Sequence, residues 1–124
     1  MKYIVICLLL VFSSCSSQVK EFSLIGRWEM TEFWGSDGAK TYTEKRENQK
    51  VFTFEPNNIV KDKLGNQGTF EVSGENLHIV LPSGDEYYHF HYDKKDVEKL
   101  FLSPRTEKYE IICDEGCEYV FEKI

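Results

Sequence analysis

From Phe22 onward, apolar and polar residues alternate over short runs, and clusters of turn residues interrupt the runs about every eight to twelve positions. The runs cover residues 25–34, 50–55, 59–63, 68–72, 76–81, 86–92, 98–103, 107–113 and 117–123. Between them fall Pro56-Asn57-Asn58, Leu64-Gly65-Asn66, Ser73-Gly74-Glu75, Pro82 to Asp85, Asp93 to Asp96, Ser103-Pro104-Arg105 and Asp114-Glu115-Gly116, rich in the residues that turns demand. A period of two marks strands with one buried face, and no helical period persists beyond one turn. Connections this short join neighbours as hairpins, which predicts an antiparallel up-and-down meander of eight or nine strands. Such a meander removes its exposed edges by closing into a barrel. The expectation is one all-β domain over residues 23–124.

Strict alternation on the first run puts Trp28, Met30, Glu32 and Trp34 on one face. A carboxylate among large apolar groups needs a partner or water. Glu32 therefore reads as a ligand contact at a mouth, with Trp28, Met30 and Trp34 beside it, unless a bulge turns it outward. Residues 35–49 form the one long polar connection, with Gly35, Asp37, Gly38 and the charged run Glu44-Lys45-Arg46-Glu47. A connection of that length serves as a lid or binding loop, or else holds an extra edge hairpin around residues 41–43.

Cys113 and Cys117 flank Asp114-Glu115-Gly116 between two alternating runs. A three-residue hairpin loop ending in Gly sets the two cysteines opposite one another, with Ile111 against Tyr119 and Tyr109 against Phe121, within disulfide reach. Closing so short a loop stabilises by about 2 kcal/mol on the chain-entropy account. A redox pair or a metal clip is the other use of such cysteines, but two ligands make a poor metal site and the spacing is not Cys-x-x-Cys. A structural disulfide is expected. With Leu81 opposite Glu86, Leu77, Ile79, Tyr88 and Phe90 share a core face, and His78 stands opposite His89 with His91 two residues on. Three imidazoles on one face are a candidate zinc or copper site; the other reading is a solvated histidine patch beside Tyr87 and Asp93. There is no Gly-x-Ser-x-Gly elbow, no phosphate-binding glycine loop and no free cysteine to pair with a histidine. Neither enzymatic activity nor a cofactor is expected.

Ahead of this domain the pattern changes. Met1-Lys2 gives a positive start, residues 3–12 are an almost unbroken apolar run, and Ser13-Ser14-Cys15 leads into polar Ser16-Ser17-Gln18. That order is a secretory signal. The apolar run is about half the ~20 residues that span a bilayer as a helix, so a retained anchor helix is not expected. Small residues running into Cys15 resemble the bacterial lipoprotein signal, in which the cysteine becomes the acylated first residue of the mature chain. The other reading is plain secretion with cleavage near Ser17. The expected parts are a signal over 1–14, lipidated Cys15 with a short tether over 15–22, and the barrel over 23–124. By the same resemblance, Ser16 rather than an aspartate after the cysteine favours the outer membrane.

Removing residues 1–14 takes one lysine, Lys2, leaving 14 basic against 21 acidic residues, a net charge of −7 over 110 residues. An acidic chain of this size argues against nucleic acid as a partner, since such binding depends on neutralising phosphates. Aromatic residues make up 15% of the chain, enough to fill a core without a cofactor. In an oxidising compartment Cys113 and Cys117 again read as a disulfide.

The segment Leu24-Ile25-Gly26-Arg27-Trp28-Glu29-Met30 carries a Gly-x-Trp at the start of the first run. Phe52-Thr53-Phe54 before a turn, then Gly68-Thr69-Phe70-Glu71-Val72, then Asn76-Leu77-His78-Ile79 follow. Together they resemble the small lipocalin-like lipoproteins of Bacteroides-type bacteria over roughly residues 22–124. The resemblance implies that Trp28 closes one end of a barrel, that Lys123 packs over it, and that residues 35–49 lie over the open end. It implies a monomer at a membrane that binds a small apolar molecule or an envelope protein. Ser83-Gly84-Asp85-Glu86-Tyr87 resembles the Ser-Gly-x-x-Tyr segment of the membrane-bound lysozyme inhibitors, although their threonine-lysine-glycine motif is absent. That second likeness implies a protein inhibitor whose acidic surface steers a basic enzyme.

Overall fold

The computed structural model describes residues 21–36, 38–46, 50–113 and 116–124. The signal over 1–14 and Cys15 lie outside the described residues, as do residues 16–20, 37, 47–49 and 114–115.

Among the described residues nine strands follow in order: β1 (Gly26–Ser36), β2 (Thr41–Lys45), β3 (Val51–Glu55), β4 (Ile59–Lys61), β5 (Gln67–Ser73), β6 (Asn76–Leu81), β7 (Gly84–Asp93), β8 (Asp96–Arg105) and β9 (Cys117–Lys123). From β3 onward each strand pairs antiparallel with the next. β1 pairs with β9 from Trp28↔Lys123 to Gly35↔Cys117, which closes the sheet. β2 and β3 share the other edge of β1, β3 along Gly26 to Glu29 and β2 along Glu32 to Ser36. Between them the ladder is carried by the Met30 N–H donating to Lys50 C=O at 2.9 Å and the Arg46 N–H donating to Thr31 C=O at 2.8 Å. The wall therefore has eight positions, with β2 as an extra strand. This is the antiparallel closed barrel that the alternation predicts, lipocalin-like in architecture.

Inward-facing positions make one core of Trp28, Met30, Phe52, Phe54, Val60, Phe70, Leu77, Ile79, Leu81, Tyr88, Leu100, Leu102 and Phe121. Rings fill the barrel: Phe52 stacks on Phe121 with centroids 5.6 Å apart, and Phe54 meets Phe70 edge-on at 4.9 Å. Each large side chain so enclosed stabilises the fold by roughly 1.5–3 kcal/mol relative to exposure. The interior is thus occupied mainly by the protein's own side chains, as the aromatic content suggests.

At two places the structure decides between open readings, and at two it changes the expectation. First, the β1–β9 register slips between Met30 and Glu32, since Met30 faces Phe121 while Glu32 faces Val120. The bulge reverses the alternation. Phe33 then continues the inner face against Tyr119, with rings 5.2 Å apart, and Glu32 and Trp34 turn outward. Second, of the two readings of residues 35–49 the edge hairpin is the one found: residues 41–45 pair with β1. Third, β6 and β7 pair two residues tighter than expected, with Leu81 opposite Gly84 and only Pro82-Ser83 between them. An even shift preserves the faces, so Leu77, Ile79, Tyr88 and Phe90 still point toward the core.

Fourth, residues 107–113 do not form a strand, and Ile111–Tyr119 and Tyr109–Phe121 are not pairs. Tyr119 is opposite Phe33 and Leu102, and Phe121 opposite Met30 and Leu100, so both edges of β9 are taken by β1 and β8. β8 instead runs on through Ser103, Pro104 and Arg105, and the segment after it touches the sheet at one bridge, Arg105↔Ile111. The Thr106 hydroxyl accepts from the Lys108 and Glu110 N–H groups at 3.3 and 3.1 Å, a local turn that competes with strand pairing.

Candidate functional site

The two ends of the barrel differ. At one end Trp28 is fully buried, its Nε1–H donates to the Leu24 carbonyl at 2.8 Å, and Phe22 packs on it with ring centroids 5.9 Å apart. The Lys123 ammonium lies 5.2 Å from the Trp28 ring centroid. Trp28 and Lys123 are also direct partners on β1 and β9. This end is closed, in the arrangement that the Gly-x-Trp resemblance implies.

The other end carries the β4–β5, β6–β7 and β8–β9 connections and the β1–β2 arm. Here an opening of about 370 Å³ lies between the start of β3 and those turns, lined by Lys50, Val51, Phe52, Leu64, Leu81 and Glu86, with Asp62, Lys63 and Ser83 at its polar margin. Lys50 forms an ion pair with Glu86, and its Nζ is 3.4 Å from the Tyr88 hydroxyl and 5.2 Å from the Phe52 ring centroid. The Tyr88 O–H donates to Glu86 Oε1 at 2.6 Å. Burial, and then the adjacent Glu86 carboxylate, push the Tyr88 phenol far above its ordinary range. The rim is built as firmly as the floor. Asp62 accepts from the Leu64 and Asn66 N–H groups, both at 2.9 Å, and from Asn66 Nδ2 at 3.0 Å. Those bonds, the Asn66 side chain first, lower the Asp62 pKa. The turn holds Leu64 over the opening with 86% of its surface exposed.

Chemically this is a mixed site. Val51, Phe52, Leu64 and Leu81 offer an apolar wall, and Lys50 and Glu86, with buried Tyr88 behind them, offer donors and acceptors on one side, the composition of a small-molecule pocket. Its polar groups already satisfy one another, and Tyr88 is held protonated.

Tyr88 also gives a measurable pH dependence. Its folded pKa lies above the unfolded value of about 10, so the stability it contributes is complete below about pH 10 and falls as pH rises further. Tyr88→Phe should therefore flatten the loss of urea stability between about pH 9 and 11. Equal losses in parent and variant would mean that Tyr88 ionises freely in the fold.

The residues singled out from the sequence are spread through the molecule. Trp28 closes the far end, Met30 is in the core, and Glu32 and Trp34 lie outside the wall, where Trp34 Nε1–H donates to Glu32 Oε2 at 2.8 Å. These four do not form one site. Cys113 and Cys117 are joined by a disulfide with Cα atoms 5.7 Å apart. The tighter register sets His78 opposite Tyr87 and His89 opposite Asn76. Each histidine has its own acidic neighbour: His78 Nε2 is 3.0 Å from Asp85, His89 Nε2 3.1 Å from Glu75, and His91 Nδ1 3.5 Å from Glu118. Among the described residues no group of three or more His, Cys, Asp or Glu side chains is placed to hold a metal ion. In the Ser83–Tyr87 segment, Asp85 is bonded to His78, and Tyr87 stacks on that imidazole with centroids 4.3 Å apart.

Sequence reasoning singles out none of Lys50, Tyr88 and Leu64 for a site, and names Glu86 only within the Ser83–Tyr87 segment. The signal that could find Glu86 is its place on the i, i+2 face of Tyr88 and Phe90, a carboxylate at a core-facing position. Compared with known proteins, the chain matches no protein-family model and no curated protein sequence. The class that fold and site define is a closed antiparallel β-barrel compatible with a binding module.

Proposed function

We propose that this protein is a lipocalin-like lipoprotein, exported, anchored by lipid on Cys15 in the outer membrane of a bacterial envelope, and acting there as a monomeric, non-catalytic binding module. Its ligand is a small amphipathic molecule taken at the barrel mouth. The observation that carries this reading is the opening of about 370 Å³, where an apolar wall surrounds the Lys50–Glu86–Tyr88 cluster. The packed core leaves the deep interior to the protein's own side chains, so the ligand sits at the mouth with its polar end on Lys50 and Glu86.

The anchor agrees with that arrangement. Phe22 lies on Trp28 and stacks on Tyr92, with centroids 4.1 Å apart, at the closed end. The chain from Cys15 to Lys20 spans at most roughly 20 Å, against roughly 36 Å along the eleven residues of β1. A lipid on Cys15 would hold the closed end toward the bilayer and leave the mouth facing away from it.

Native mass spectrometry of protein purified from its own envelope tests the binding reading. A retained small molecule is expected, lost in Phe52→Ala or Glu86→Gln; unliganded protein in every preparation would count against it. Anchoring is tested separately. Cys15→Ala should abolish incorporation of labelled palmitate and move the protein from the membrane to the soluble fraction, and retention at the membrane would remove the anchor.

A further inference from the structure

A second cavity, of about 480 Å³, lies outside the barrel wall at the mouth end, between the outer face of β8–β9–β1 and Ile111 with the Cys113–Cys117 disulfide. Trp34 and Ser36 of β1, Thr41 of β2, Ser103 and Arg105 of β8 and Glu118 of β9 line it. Ser103 is the one polar residue in the described chain that is buried, at 7% exposure, and it sits on an outward-facing strand position with the cavity in front of it. Among the described residues its hydroxyl has no hydrogen-bond partner. Two residues on, along the same face, Arg105 reaches no carboxylate among the described residues, and its only bond is a long one, 3.4 Å, from Nη1 to the Pro104 carbonyl. A guanidinium with a free donor fork beside an unused hydroxyl open to the cavity is a matched pair for a carboxylate.

The rest of the cavity asks for more than a bare anion. The Trp34 indole is 38% exposed and is fixed by Phe101, with centroids 5.5 Å apart, and by its bond to Glu32. It presents a flat apolar wall. Opposite charges and hydroxyls surround it: Glu118, 3.5 Å from His91, with Ser36 and Thr41. Donors and acceptors of both kinds around an aromatic wall suit a ring bearing several hydroxyls.

We propose that this outer groove is a binding site, separate from the mouth, for a small sugar acid. The carboxylate accepts from Arg105 and Ser103, the ring lies against Trp34, and the ring hydroxyls reach Glu118, Ser36 and Thr41. The site does not depend on the mouth ligand and stands or falls without it.

Titration of the ¹⁵N-labelled full chain in detergent with glucuronate, with glucose and acetate run in parallel, tests the proposal. Glucuronate at about 10 mM should shift the amide signals of Ser36, Ser103 and Cys117. Glucose, lacking the carboxylate, and acetate, lacking the ring, should each bind at least about tenfold more weakly. Arg105→Gln should weaken glucuronate by about tenfold or more, and Ser103→Ala should weaken it less while keeping the preference over glucose. Well-dispersed spectra of both variants show that the barrel is intact. Absence of shifts at those amides, glucose binding as well as glucuronate, or undiminished binding by Arg105→Gln would each overturn the site.

Discussion

Replacing Gly68 by alanine should cost about 3 kcal/mol of stability, at the upper end of what overpacking does, and lower Tm by roughly 15 °C in a domain of this size. Gly68 pairs with Val60 of β4 and lies beside Val80 and Leu81 of β6. A Cβ there would stand 1.8 Å from the Val80 carbonyl oxygen and 3.1 Å from the Leu81 Cα. Backbone, not a flexible side chain, has to move. Thr69↔Val80 and Phe70↔Ile79 continue the same ladder, so the displacement passes directly to Phe70 and its edge-on contact with Phe54. Gly74 supplies the control. Nothing lies within 4 Å of a Cβ built there, and its φ of 60° is one that asparagine adopts. Gly74→Asn should change stability by less than about 1 kcal/mol. Urea unfolding followed by tryptophan fluorescence measures both variants. A Gly68→Ala midpoint equal to the parent's would mean that β5 and β6 separate without loss.

Gly68 also marks the limit of what the sequence discloses. Its place at the head of an alternating run is legible; the close approach of β6 is not, because that depends on how strongly the wall bends. The same division holds throughout. Period-two patterning and short turns predict the closed meander, and the two-residue difference between the expected and the observed β6–β7 register leaves every face intact because strand faces repeat every two residues. One extra residue does the opposite. The bulge between Met30 and Glu32 sends Glu32 and Trp34 outside and brings Phe33 in; the carboxylate of Glu32 among apolar groups leaves a bulge open as one of two readings, and no residue type on β1 decides between them. The segment at 107–113 has strand-like alternation but no edge to join, since β1 and β8 occupy both sides of β9. Pairing is a property of the whole sheet, which a local pattern does not carry. The mouth cluster was partly legible, through Glu86 on a core-facing position. Lys50 was not, because it joins Glu86 across 36 positions of sequence.

Trp28→Ala should be the costliest truncation on β1, at about 4 kcal/mol, a large share of the 5–15 kcal/mol that holds a domain together. The indole is fully buried and ties three parts of the chain: Phe22 and Leu24 before the barrel, β1 itself, and Lys123 at the end of β9. Trp34→Ala, with the ring outside and part-exposed, should cost only about 1–2 kcal/mol. Gly26 explains the local spelling of the motif. Its φ is +140°, and a Cβ there would lie 2.5 Å from the Lys123 Cε, so glycine is what lets the lysine stem cross the strand and set its ammonium over the indole. The charge is the smaller part. Lys123→Met keeps an apolar stem and removes the cation, and should cost about 0.5–1 kcal/mol. Chemical denaturation of the three variants separates the contributions. Equal losses for Trp28→Ala and Trp34→Ala would show that end closure does not hold the barrel. A loss for Lys123→Met as large as that for Trp28→Ala would make the cation, rather than packing around the indole, the element that closes it.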